Sequence, residues 1–451
     1  MYTLGCKLNQ FESEQIREVL EAAGYIVVPW GQPAALCIVN SCTVTTKADR
    51  DTRRLVRFAK RLNPDAVVVV TGCYVDVARQ VLADIPEIDL LVPNRDKHRL
   101  LELLRAIDTS LPTDTCRDLP YGVYGPLITR FSTHTRAFVK IQEGCDSRCT
   151  YCIIPSARGP ARSVFRDDVL RQVRLLADQG HSEIVLIGTH LGRYGADLDA
   201  DGDLTSLIHA LVDLPSVGRL RLSSIEPQEI TPGIVELLAD GGRALDPRAE
   251  MLAGYGKLCR HLHVPLQSGC DEILRAMGRP YDTAFYAALV WDLVTRVPGL
   301  CLGADVIAGF PGETDELFAR TEAFIRSLPL SYLHVFSYSP RPGTLAAELP
   351  GQVSPEVRKA RTRTLRAISD AKLAAFVEAQ VGGQLEVVPE RRAPDGRLYS
   401  LADNYVRVSH DGPEAILGKL VCVEVTAACG NLAWGESWAE TESPAPDETD
   451  D

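Results

Sequence analysis

Gly144-Cys145-Asp146-Ser147-Arg148-Cys149-Thr150-Tyr151-Cys152 carries three cysteines at C-x₃-C-x₂-C spacing, directly behind an apolar run, Ala137 to Ile141, that reads as a strand. A tight loop leaving a strand can aim three thiolates at one point. Iron–sulfur clusters are held by thiolates, and a cubane cluster commonly takes four of them. Three local ligands leave one iron open, and an open iron can bind and activate a small molecule. A zinc knuckle or three buried structural cysteines are the competing readings. Structural zinc pairs C-x₂-C with a second pair or with histidines, and no such partner follows locally. Cys145, Cys149 and Cys152 are therefore expected to ligate a 4Fe-4S cluster.

With Tyr151 before its last cysteine, this run resembles the signature of the radical S-adenosylmethionine (SAM) superfamily. Its continuation, Ile153-Ile154-Pro155-Ser156-Ala157-Arg158-Gly159, is similar to that of the methylthiotransferases within the superfamily.

A chain of 451 residues, 45% hydrophobic and 24% charged, has room for two or three domains with cores of their own. It holds no uninterrupted apolar run of about 18 residues, so no membrane helix is expected. Its start lacks a charged, apolar, cleavable leader, and its thirteen cysteines then point to a reducing, cytoplasmic setting with metal or redox use. The net charge of −12 is not that of a typical nucleic-acid binder, but half of it is six acids at the end: Glu440, Glu442, Asp447, Glu448, Asp450 and Asp451. Residues 440–451 read as a solvated, disordered tail, so net charge does not decide for or against RNA.

Residues 1–107 alternate strands and helices. Asn9 to Ala23 is a helix stopped by Gly24, Leu36 to Asn40 a strand, and Thr45 to Leu62 a basic helix. Val67 to Thr71 is a buried strand, and Asp76 to Ala83 and Asp96 to Leu104 are helical. The expectation is a three-layer parallel α/β domain. Cys6, Cys42 and Cys73 each fall just past the carboxyl end of a strand, and in a parallel sheet those ends share one edge. The three thiols can thus meet, with buried core cysteines as the alternative; Cys37, inside a strand, reads as core. The resemblance implies more. Thr3-Leu4-Gly5-Cys6-Lys7-Leu8-Asn9, Asn40-Ser41-Cys42-Thr43-Val44-Thr45 and Thr71-Gly72-Cys73-Tyr74 are similar to the motifs holding the family's auxiliary cluster, a second 4Fe-4S group. Their wording is closest to the branch acting on threonylcarbamoyl-adenosine in tRNA. The family carries several residues before the first motif, whereas Met1 here opens on the strand itself.

Residues 108–134, with Pro112, Pro120, Gly122, Gly125 and Pro126, show no periodicity and read as a linker. In residues 135–376, strand-like runs recur at Ala137–Ile141, Glu183–Ile187, Arg219–Ser223, His261–Pro265, Leu302–Ile307 and Tyr332–Phe336. Helical runs such as Asp167–Gln179, Thr283–Arg296 and Glu313–Ser327 alternate with them. Six units predict a partial (βα)₆ barrel, with chemistry on loops at the carboxyl ends of its strands. Those loops carry Gly188 to Gly195, Glu226, Gln267 with Ser268, and Gly309 to Glu313. The glycines permit close approach of backbone to a ligand. The resemblance implies that Gly188, Gly192 and Glu226 contact SAM and that Tyr151 borders its adenine. Cys259, His261, His263 and Cys270 form a C-x-H-x-H-x₆-C string that could be taken for zinc; a structural role is favoured, because the family pattern keeps the histidines without these cysteines. Residues 240–256 read as an insertion.

Glu356 to Phe376 is a helix with Arg358, Lys359, Arg361, Arg363, Arg366 and Lys372. It reads as a solvated face and is also the best basic candidate for tRNA phosphates. Residues 382–439 hold short strand runs that predict a small antiparallel barrel, whose place and length resemble the family's TRAM module. Cys422 and Cys429 read as structural. Taken together, the resemblance implies methylthiolation of carbon 2 of N6-threonylcarbamoyladenosine at position 37 in the tRNA anticodon loop, with two 4Fe-4S clusters, SAM and an electron donor such as flavodoxin or ferredoxin. The first cluster would cleave SAM to a deoxyadenosyl radical and the second would deliver the sulfur. Isopentenyladenosine-37 or a ribosomal-protein aspartate are alternative substrates, and an electron-transfer or tRNA-binding module without turnover is the alternative of another class.

Overall fold

Val67 to Val70 are β-branched in succession, which suits a strand covered on both faces, and the computed structural model places them in the middle of a parallel sheet. The structure describes residues 1–107, 121–122, 125–132, 134–198, 202–240 and 256–437. The insertion near 240–256 and the acidic tail lie almost wholly or wholly outside them. The amino-terminal sheet runs β1 (Tyr2–Thr3), β2 (Leu36–Ser41), β3 (Val67–Gly72) and β4 (Leu90–Val92), in that order. Helices α1 (Lys7–Ala22) and α2 (Thr46–Leu62) flank it; the Thr45 hydroxyl caps α2 by accepting from Ala48 N. One boundary differs from expectation: a short helix, α3 (Cys73–Val77), starts at the cysteine itself, and a second covers Arg79–Ala83.

Residues 125–131, expected as linker, are partly core. Leu127, Ile128 and Phe131 are buried, and the Gln172 amide brackets Ile128 by accepting from its N–H at 2.8 Å and donating to its carbonyl at 2.6 Å. Three apolar residues at irregular spacing give no periodic signal but still bury.

The middle of the chain supplies β5 (Ala137–Lys140), β6 (Glu183–Ile187), β7 (Arg219–Leu222), β8 (His261–His263), β9 (Cys301–Ala308) and β10 (Tyr332–Ser337). β5, β6 and β7 pair in parallel, as do β8, β9 and β10, and the bridges Leu220 to Leu258 and Ser224 to His263 join the two triplets. This is the expected open six-stranded arc. Leu8 and Phe11 of α1 belong to its apolar core, so the first helix packs where the arc does not close. On β10, Leu333 faces the last long helix, α4 (Pro355–Glu378), its N–H donating to Ser369 Oγ at 2.8 Å. By strand alternation Tyr332, His334 and Phe336 then face the lumen, where Phe336 and His334 remain exposed.

Four cations of α4 reach back onto the barrel. Arg361 pairs with Glu313 and Asp315 at 2.8 and 2.7 Å, while Arg358, Arg366 and Lys372 donate to the carbonyls of Tyr338, Val335 and Leu328. They dock the helix; Lys359 and Arg363 stay exposed without a structural task among the described residues.

The carboxyl-terminal strands β11 (Gln384–Arg392), β12 (Leu398–Ala402), β13 (Arg407–His410), β14 (Val421–Cys429) and β15 (Leu432–Ser437) close into a barrel in the order β11-β12-β13-β15-β14. Its pairing is antiparallel except between β13 and β15. It plugs the amino ends of β6 and β7: Arg219 and Arg221 both grip Glu183 and donate at 2.8–2.9 Å to the carbonyls of Glu386, Leu401, Ala402 and Asp403. All three charged side chains are fully buried. Removing one partner of such a set strands the others without water. Glu183→Ala is accordingly expected to destabilise the chain by about 3–5 kcal/mol, read as a lowered urea midpoint.

Candidate active site: two groups of three thiols

The strands of the amino-terminal sheet end along one edge, and that edge gathers Cys6, Cys42 and Cys73. Each thiol is within Coulombic reach of the others: Cys42 feels Cys6 and Cys73, and Cys73 feels Cys6. The glycines before two of them are needed. Gly5 has φ +98° and a Cβ there would lie 2.7 Å from Cys42 Cβ; Gly72 has φ +96° and a Cβ would lie 2.3 Å from the Ser41 carbonyl. Burial pushes the Cys42 thiol up to about 11 and raises Cys73 as well, whereas Cys6 is exposed. Cys37 is buried, in the core of this domain.

The second group sits on the loop leaving β5. Thr150 fastens the loop: its N–H donates to Met277 O at 3.0 Å, its hydroxyl to Ala276 O at 2.8 Å, and its carbonyl accepts from Ala346 N. Cys152 lies within reach of Cys145 and Cys149, and burial lifts it to about 12; burial also raises Cys149. Cys145 differs. Burial opposes its ionisation, but His190 Nδ1 at 3.4 Å and the Ser147 N–H at 3.4 Å bring it below the ordinary thiol value. His190 is itself pushed up to about 10, burial being outweighed by Cys145 and by Glu229 at 2.8 Å. The protonated ring of His190 thus favours the ionised form of the thiol beside it. In the metal-free full chain, iodoacetamide at pH 7 is expected to label Cys145 ahead of Cys149 and Cys152, and His190→Ala to remove most of that lead, as peptide mass spectrometry would show.

All six thiols are free, and each group has the soft three-thiolate donor set that suits iron–sulfur ligation. The residues therefore fit the group expected at each position.

Glu226 is paired with Arg279, which also donates to Cys149 Sγ at 3.3 Å and to Tyr281 OH at 3.0 Å. Burial raises the Glu226 carboxyl against the pull of Arg279. Tyr151 lies edge-on to Phe310 with ring centroids 6.4 Å apart, beside the cysteine loop. Gly188 and Gly192 are closely packed. A Cβ at Gly192 would lie 2.4 Å from Glu229 Oε2, and one at Gly188 would lie 3.2 Å from Gln142. Both glycines leave room on their Cβ side for a protein side chain. The C-x-H-x-H-x₆-C string does not converge. His261 and His263 bond Tyr332 OH at 2.8 and 3.2 Å, and His263 Nε2 meets Asp305 at 2.8 Å. Cys270 donates to Glu272 at 3.0 Å, on another element.

What joins the two thiol groups went unassigned in the sequence. Arg158, buried, donates to Glu12 Oε1 at 2.7 Å, Glu143 Oε1 at 2.9 Å and Asn9 Oδ1 at 2.7 Å. Asn9 in turn donates to the carbonyls of Leu4 and Ser41, and Asn40 donates to Asn9 O at 2.9 Å. Burial alone would raise the Glu12 carboxyl; Arg158, Lys97 and Lys140 hold it well below the usual range. Arg341 makes a second strut, donating to Thr43 Oγ1 at 2.7 Å and Asp49 Oδ2 at 2.6 Å. Asn9, Asn40 and Arg158 stand inside the quoted motifs, so a signal was available. Arg279, 130 positions from Cys149, had none.

An open arc of six parallel strands with three cysteines on the loop after the first defines a radical SAM enzyme, and the radical SAM superfamily model matches residues 139–325. A second model, described as uncharacterized protein family UPF0004, matches residues 1–93. Among solved structures, the radical SAM methyltransferase TsrM from Kitasatospora setae shares the fold with a TM-score of 0.50 at 18% identity, covering 74% of this chain and 68% of that one. The threonylcarbamoyladenosine tRNA methylthiotransferase MtaB of Bacillus subtilis is 37% identical over 95% of this chain and 93% of its own. MtaB of Aquifex aeolicus is 35% identical over 93% and 98%, and the tRNA-2-methylthio-N(6)-dimethylallyladenosine synthase of Moorella thermoacetica 32% over 96% and 97%. This chain belongs to the radical SAM methylthiotransferase family, whose superfamily membership implies SAM and a 4Fe-4S cluster.

Proposed function

We propose that this protein attaches a methylthio group to carbon 2 of N6-threonylcarbamoyladenosine at position 37 of tRNA. The observation that carries the reading is the pair of three-thiol groups held on one frame by Arg158, within a chain similar almost end to end to enzymes named for that reaction. Replacing hydrogen on an unactivated aromatic carbon lies beyond side-chain acid–base chemistry. When bound, a cluster on Cys145, Cys149 and Cys152 would supply reductive activation of SAM, and one on Cys6, Cys42 and Cys73 the sulfur.

The chain's own residues do the rest. Arg279 holds the Cys149 sulfur and the Glu226 carboxyl group side by side, leaving that carboxyl group on the loop face where a SAM hydroxyl or ammonium can be met. Tyr151 and Phe310 wall the same face with aromatic surface that excludes water. The exposed lumen side of β10 admits a base splayed out of a single-stranded loop. The electron donor is a small reduced carrier of the flavodoxin or ferredoxin class, and a tRNA substrate sets the enzyme in the cytoplasm. Described residues contain no helix long and apolar enough to cross a membrane.

The test is mass spectrometry of tRNA nucleosides from the host with and without the gene. Loss of the 2-methylthio derivative with accumulation of threonylcarbamoyladenosine is expected. Loss of the isopentenyl derivative instead would transfer the assignment to that substrate, and an unchanged profile would redirect it to the ribosomal aspartate.

A further inference from the structure

Helix α2 carries a row of charge that the fold leaves unused. Its 17 residues hold seven cations against two acids, in a chain whose net charge is −12. Two of the cations are tied down: Arg53 donates to Tyr74 OH at 2.6 Å and Lys60 to the Ala66 carbonyl at 2.8 Å. The other five, Lys47, Arg50, Arg54, Arg57 and Arg61, are exposed, and their alternating steps of three and four residues set them in one stripe along the solvent face. At 1.5 Å per residue the stripe is about 21 Å long. Lys47 meets Asp51 at 3.0 Å and Arg57 meets Glu87 at 3.8 Å, whereas among the described residues no carboxylate lies at ion-pair distance from Arg50, Arg54 or Arg61. Asp49, the other acid of the helix, is buried and bonded to Arg341 at 2.6 Å and Thr43 at 2.7 Å. Like charges three and four residues apart repel and weaken a helix, so the stripe does nothing for the fold. It begins at the working edge of the molecule. α2 follows the Cys42 strand end, and the Thr46 N–H donates at 3.2 Å to Ser339 Oγ, two residues past β10, whose lumen side is exposed at His334 and Phe336. Other basic surfaces are poorer: four of the six cations of α4 are tied to the barrel, and in residues 384–437 acids outnumber cations eight to five.

We infer that the exposed face of α2 is a phosphate track, on which Arg50, Arg54 and Arg61, with Lys47 and Arg57 beside them, grip the backbone of the anticodon stem while base 37 enters the lumen. This rests on the proposed function and deepens it by placing the RNA. Four of the five side chains are guanidinium groups, whose planar fork matches a phosphate with two hydrogen bonds and stays charged at any working pH. Contacts to phosphate fix register without reading sequence, so one stripe serves every tRNA that presents the right base. An acidic electron carrier is the other partner that such charge fits. RNA is favoured because the track is linear, as a backbone is, and consists of charge alone, whereas the centre of a protein–protein interface is depleted of charged residues.

The experiment uses the full chain with both cluster sites loaded and an anticodon stem-loop RNA carrying threonylcarbamoyladenosine at position 37. Binding is read by fluorescence anisotropy at salt concentrations from about 50 to 200 mM. The triple variant Arg50→Gln, Arg54→Gln, Arg61→Gln is expected to flatten the slope of log K against log salt by about two to three, and to weaken binding on the order of 10- to 100-fold at the low-salt end. Arg50→Lys, Arg54→Lys, Arg61→Lys should keep the slope. Arg171→Gln, Arg174→Gln, Arg296→Gln makes the same change of net charge on exposed residues elsewhere and should leave the slope unaltered. An equal slope in the wild type and the α2 variant overturns the inference. So does an equal loss in the second set, which would make net charge rather than contact the cause. If the α2 variant binds RNA normally but loses SAM cleavage with reduced flavodoxin while keeping it with dithionite, the face belongs to the electron carrier and the inference falls. Turnover by the wild type of a stem-loop carrying isopentenyladenosine alone would instead overturn the proposed function and leave the phosphate track standing.

Discussion

Cys149→Ala is expected to abolish reductive cleavage of SAM, and Cys73→Ala to preserve cleavage while removing the methylthiolated product. The two cysteines differ in which group of thiols they belong to. Cys149 shares its loop with Cys145 and Cys152 and is held by Arg279 beside Glu226; Cys73 lies at the edge of the other sheet with Cys6 and Cys42. Loss of one of three ligands leaves two, too few for a cluster that ordinarily takes three or four. Anaerobic assays with dithionite, resolving 5′-deoxyadenosine and modified nucleoside by liquid chromatography, separate the two losses. Iron content should fall by about half in each variant if each holds one of two equal clusters. Undiminished cleavage in Cys149→Ala would remove the loop from its assigned role. Loss of cleavage in Cys73→Ala at normal loop-cluster content would mean that the two groups are not separable.

Arg158→Met is expected to cost about 3–5 kcal/mol at pH 7, because it leaves Glu12 buried without its principal counter-charge and takes one of the cations from buried Glu143. Both carboxylates are nearly inaccessible, and Lys97 and Lys140 compensate only in part. The effect should depend on pH with a defined sign. Glu12 in the folded chain is held well below its unfolded value, which is about 4.3. Its stabilising contribution is therefore complete above that value and is lost as pH falls towards the folded one. The gap between wild type and variant in urea melts should be widest near neutrality and narrow below about pH 4.3. A gap of constant size from pH 7 to 3.5 would show that Arg158 acts by packing rather than by charge. Since Arg158 also bonds Asn9, which bonds the carbonyls before Cys6 and Cys42, the variant should also let SAM cleavage run without product.

Local chemistry made much of this protein legible before any coordinates. The C-x₃-C-x₂-C loop, the valine run of β3, and six strand-like stretches alternating with helices are periodic or short-range signals, and short-range signals survive in a linear reading. The same holds for Cys6, Cys42 and Cys73, because the topology of a parallel sheet brings strand ends to one edge whatever their separation in sequence. The tertiary structure alone decided the partners of polar side chains, since hydrogen bonds and ion pairs depend on which elements pack together and leave no trace in spacing. Nothing in the spacing around Gly192 announced that Glu229 packs against it. The charge run of α4 gave no sign that Arg358, Arg361, Arg366 and Lys372 find carboxylate or carbonyl partners on the barrel. Arg279 carried no local signal, yet it touches Cys149 across 130 positions. Composition and periodicity determine which segments are buried, whereas the pairing of buried charges is settled by the contacts that folding creates.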